Sequence, residues 1–139
     1  SNVKHMQAMF RDASSFNKPI GLWDVSKVKT IQGFLNGASS FNQPIGNWDV
    51  SSVTQFANFF NHATSFNQPI GDWNVSSGLH MGGMFFRAIS FNQPVGDWNT
   101  SSMVTSYHMF GHASSFDQDL SKWNVDADKN MTWMFENSE

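Results

Sequence analysis

Ala38-Ser-Ser-Phe-Asn-Gln-Pro-Ile-Gly-Asn-Trp-Asp-Val-Ser-Ser-Val-Thr54 decides the fold, because nearly every residue type in it returns 25 positions away. Trp48 belongs to the series Trp23, Trp73, Trp98 and Trp123, and Phe41 to the series Phe16, Phe66, Phe91 and Phe116. Ile45 repeats as Ile20, Ile70, Val95 and Leu120, and Ala38 as Ala13, Ala63, Ala88 and Ala113. Pro44 has counterparts at Pro19, Pro69 and Pro94, and no insertion breaks the register. A fixed period of this length marks a stacked repeat architecture. The expectation is a single solenoid over residues 1–139, about five and a half repeats long and excerpted from a longer chain.

Each unit has two halves. Val53, Phe56, Phe59, Phe60 and Ala63 are spaced by three and four, which predicts a short helix with one apolar face. Ser51 stands where a hydroxyl would cap that helix, as do Ser26, Ser76, Ser101 and Asp126. In the other half Pro44 and Gly46 exclude a long helix, and Trp48 and Val50 alternate with Asn47 and Asp49. That alternation predicts a short strand pairing in parallel with its neighbours. The fold class expected is therefore α/β, a leucine-rich-repeat-like solenoid with one strand and one helix per repeat. Stacking would raise ladders of tryptophan on the apolar side. On the polar side, Asn17, Asn42, Asn67 and Asn92, ending in Asp117, would form a ladder that satisfies loop amides.

The unit from Ala38 to Thr54 resembles the repeat of the BspA-like surface proteins. The shared runs are Phe-Asn-Gln, then Trp-Asp-Val-Ser, then Met-x-x-Met-Phe, seen at Met6–Phe10, Met81–Phe85 and Met131–Phe135. Ile45-x-x-Trp48-x-Val50 is an aromatic version of the leucine-rich motif. The resemblance implies a leucine-rich-repeat-like fold, an extracellular or cell-surface location, and membership among surface antigens and adhesion proteins.

Composition narrows the function classes. The net charge of -3 argues against nucleic acid or an anionic membrane surface, which call for a basic face. Charged residues make up 14% of the chain, well under the usual ~25%, while aromatics reach 15%, so a packed core is expected. There is no cysteine, hence no disulfide framework, and no apolar run approaches the length of a membrane span.

No catalytic constellation, cofactor site or metal site is expected. His108 and His112 have metal-ligand spacing but no carboxylate at matching distance, so solvated positions on a helix are the better account. His62 and His112 share a column two repeats apart. Asp49, Asp72 and Asp97 alternate with asparagines in their columns, which suits structural hydrogen bonding better than calcium. Gly82-Gly83 reads as a weakened helix. Asn74, Asn99 and Asn130 open glycosylation acceptor patterns, relevant only in a secretory eukaryote. The tryptophan series reads as core; exposed, it would make a stacking platform for sugars.

Four columns vary, and they are assigned to the outer side of the helix. They are His5, Thr30, Gln55, His80, Thr105, Asn130; then Ala8, Gly33, Asn58, Gly83, His108, Trp133; then Arg11, Asn36, Asn61, Phe86, Gly111, Glu136; and Asp12, Gly37, His62, Arg87, His112, Asn137. Phe86, Tyr107 and Trp133 are aromatic where other repeats are small or polar. Phe86, Arg87, Tyr107, His108 and Trp133 are therefore the expected contact residues for a protein or glycan at a cell surface. The alternative is a rigid spacer or filament subunit that associates end to end.

Overall fold

The computed structural model describes residues 2–124 and 133–137. These residues form a stack of 25-residue coils beginning at His5, Thr30, Gln55, His80 and Thr105, and those five residues join successive coils by single parallel bridges. Among the described residues there is no helix and no strand longer than such a bridge. The expected α/β repeat, one helix and one strand per unit, is therefore not what this chain forms.

The segment expected to be helical is a run of tight turns. In the coil of residues 55–79, the amides of Phe59, Asn61 and Ala63 donate to the carbonyls three residues earlier, of Phe56, Asn58 and Phe60. The intervening amides of Phe56, Asn58, Phe60 and His62 leave the coil. They donate to the carbonyls of His80, Gly82, Met84 and Phe86 in turn, at 2.8–2.9 Å. Every second residue-pair step thus closes a turn while the alternate amides join the next coil. Asn58 and His62 sit at φ 58° and 56°, the positive value that position three of a type II turn requires. A left-handed residue at every fourth position stops an α-helix from propagating. The apolar spacing of three and four survives, because Phe56, Phe59, Phe60 and Ala63 still point inward and are fully buried.

The other half stacks through side chains instead of strand pairing. Proline has no amide to donate, and Gly46 approaches the next coil so closely that a Cβ there would stand 2.7 Å from the Pro69 carbonyl oxygen. Gly21 and Gly71 meet Pro44 and Pro94 in the same way. The Asn67 amide donates to Asn42 Oδ1 at 3.0 Å, and Gln68 Nε2 donates to the Asn42 carbonyl and side chain. Equivalent amide bonds link Asn17 to Asn42, Asn67 to Asn92 and Asn92 to Asp117. The indole amine of Trp73 donates to the buried Ile45 carbonyl at 3.0 Å, a bond repeated by Trp48, Trp98 and Trp123.

The serines expected to cap helices have a different partner. Ser51 donates through both its amide and its hydroxyl to Asp49 Oδ1, and Ser26 and Ser76 do the same to Asp24 and Asn74. These bonds hold the Asp49 carboxyl below the usual carboxylate range. Asp126, in the same column, lies outside the described residues.

Between the two halves lies the core. The rings of Trp48, Trp73, Trp98 and Trp123 are stacked at 6.3–6.4 Å and within 7° of parallel. Phe16, Phe41, Phe66, Phe91 and Phe116 make a second ladder at 5.7–6.1 Å. Trp48 to Trp123 are buried, so no sugar platform is open along them, whereas Trp23 is 38% exposed.

Candidate functional site

The variable columns occupy the turn-built ridge. The first is the bridge column, and the second and fourth are the left-handed positions, with φ between 50° and 78° in every described coil. Glycine, asparagine, aspartate and histidine recur in them because these residues adopt that conformation most readily. Gly83 is one of them, which replaces the weakened-helix explanation of Gly82-Gly83.

Phe86 is the centre of the ridge's C-terminal part. The next coil has Gly111 in the same column, where a Cβ would stand 2.9 Å from Phe86 Cδ2, so the ring lies across the space a side chain would fill. Three imidazoles surround it: His62 at 5.8 Å between ring centroids, His108 at 5.7 Å and His112 at 5.4 Å. The Arg87 guanidinium carbon stands 5.5 Å from the ring centre, within range of a cation–π contact. Tyr107 packs edge-on against His108 at 4.0 Å, and His108 Nδ1 lies 3.1 Å from Glu136 Oε2. Burial and the neighbouring Arg87 charge lower the proton affinity of His62 below the ordinary imidazole value, with Asp12 opposing them.

Of the expected contact residues, the structure brings Phe86, Arg87, His108 and Tyr107 into one cluster. Trp133 follows His108 in its column, 57% exposed and left-handed at φ 60°. Sequence reasoning missed His62, His112 and Glu136 as members. The signal was present in the columns, since the residues one coil either side of Arg87 are His62 and His112.

Other candidates are placed elsewhere. A groove of about 620 Å³ runs along the proline–glycine face between Pro19, Leu22, Trp23, Pro44 and Pro69. Asp97 pairs with Lys122 at 2.9 Å on the same face. Asn74 and Asn99 have their side-chain oxygens engaged by Ser76 and Ser101, and Asn130 is outside the described residues. Among the described residues no three histidine, aspartate or glutamate side chains converge as metal ligands, and no helix is long and apolar enough to cross a membrane.

Two overlapping segments, residues 1–81 and 43–139, each match the family model described as a Mycoplasma protein of unknown function, DUF285. The chain belongs to the DUF285 family. No curated protein and no solved structure matches this DUF285 chain.

Proposed function

We propose that this DUF285 chain is a non-enzymatic, surface-exposed repeat protein that recognises or adheres to an extracellular ligand through its turn-built ridge. The observation that carries the proposal is the cluster around Phe86, where an aromatic ring, three imidazoles and a guanidinium meet at a column position that is small or polar in the other coils. The buried ladders fix the scaffold, so the ridge varies without disturbing the core. The resemblance of its repeat to BspA-like surface proteins supports the same role.

The test is an array of glycans and extracellular-matrix proteins probed with the chain and with a variant carrying F86A, R87N, Y107A, H108N and W133N. Asparagine is used at the left-handed positions to spare the backbone. Loss of capture by a variant that still melts cooperatively is expected; unchanged capture rejects the role. A second reading, a rigid spacer, is favoured by the unbroken hydrogen-bond ladders between coils. Filaments in electron microscopy, with no ligand captured, would support that reading instead.

A further inference from the structure

His62, Arg87 and His112 occupy one column on three consecutive coils, and they share one backbone conformation, with φ 56°, 56° and 55°. Equal geometry at equal register makes their Cα–Cβ bonds leave the backbone alike, forming a row along the stack with a step of about 4.8 Å. Phe86 floors the row, with its ring 5.4–5.8 Å from all three members. His108 borders it from the neighbouring column.

The charge of the row depends on protons. At neutral pH Arg87 is its fixed cation, and the charged or titratable groups facing the cluster from other positions are Glu136 beside His108, Tyr107, and Asp12 acting on His62 from two coils away. An imidazole becomes a cation by taking up a proton, so acid adds positive charge on the coils either side of Arg87, opposed by Glu136 and, from farther off, by Asp12. Like charges so placed repel unless an anion lies along them. A broad nucleic-acid surface is disfavoured by the net charge of -3. A narrow row with a ring floor, with exposed Tyr107 next to His108 and exposed Trp133 one coil on in the His108 column, suits acidic groups carried on sugar rings.

We infer that His62, Arg87 and His112, floored by Phe86 and bordered by His108, bind a linear sulfated or uronate-bearing polysaccharide lying along the stack, and that mild acid switches this binding on. The inference rests on the ridge being the contact surface. Burial and the Arg87 charge lower the proton affinity of His62, so a polyanion that offsets Arg87 draws a proton onto it, and binding and protonation strengthen each other equally.

The experiment is calorimetric titration of the chain with a heparin-derived hexasaccharide, above and below the imidazole value of ~6.5. Binding at least about tenfold tighter at the acid pH is expected, with proton uptake visible as a buffer-dependent heat. The double variant H62N/H112N keeps left-handed-tolerant residues, and its unchanged melting curve verifies the fold; it should bind weakly at both pH values. Equal affinity at the two pH values, or parent-like binding by H62N/H112N, overturns the inference. So does displacement of the saccharide on equal terms by single-stranded oligothymidylate, which would assign the row to nucleic acid. Array capture that depends on the ridge but is not competed by the hexasaccharide removes this inference and leaves the recognition role. Array capture indifferent to the ridge, with hexasaccharide binding intact, removes the recognition role alone.

Discussion

Gly46 and Ser106 show how a repeat imposes a residue type and what happens when one coil departs from it. An alanine at position 46 would put its Cβ 2.7 Å from the Pro69 carbonyl oxygen, which is backbone and cannot swing aside. G46A is expected to destabilise the stack by about 1–3 kcal/mol, as overpacking generally does, measurable by urea denaturation. Ser106 follows Met6, Ile31, Phe56 and Met81 in a core column, and its hydroxyl is fully buried without a hydrogen-bond partner among the described residues. S106A should stabilise the fold by roughly 1 kcal/mol, because it removes a polar group that lost its water for nothing; a lower melting temperature would refute this. Asp49 has the opposite character. Its bonds from Ser51 lower its folded pKa below the unfolded value of ~3.9. Its contribution is therefore present above about pH 4 and lost as pH falls through the folded value. The contribution is small because the group is exposed, but S51A should move the Asp49 carboxyl titration upward in an NMR measurement.

At the scale of the element, the spacing of Phe56, Phe59, Phe60 and Ala63 explains both what the sequence makes legible and what it hides. The burial of these four residues can be read from their spacing. The helix cannot, since consecutive turns closed by bonds to the third residue back place the same positions inward. What separates the two is the pair of columns headed by Ala8 and Asp12, rich in glycine, asparagine and histidine every fourth residue. That pattern is a left-handed backbone signature, and it resembles surface drift when read one repeat at a time. The candidate site divides likewise. Phe86, Arg87, Tyr107 and His108 stand out as departures from their columns, whereas His62 and His112 look too far apart until Phe86 is placed between them. The tryptophan element makes a sharper prediction. W73F keeps an aromatic ring in the ladder but removes the donor to the buried Ile45 carbonyl. A loss of about 1–3 kcal/mol is expected by denaturation, the usual consequence of orphaning a buried acceptor.

At the scale of the whole molecule, coils that contact only their neighbours form a quasi-one-dimensional array whose stability lies in the junctions. Far-UV circular dichroism should show none of the paired minima of an α-helix, and a strong helical spectrum would contradict the turn-built ridge. The ridge side of each junction also has a direction. From Met6 to Thr30, through Phe56 to His80, to His112 and Glu136, ridge amides donate toward the C-terminal neighbour. Peptide groups aligned in this way add their dipoles, each about 3.5 D. In an α-helix the amide hydrogens point toward the N-terminus, which becomes the electropositive pole. Along this ridge they point the other way, so the ridge's peptide dipoles set their electropositive pole toward the C-terminal neighbour, offset in part by the amides of Thr54, Asn67, Leu79 and Val104, which donate back to the preceding coil.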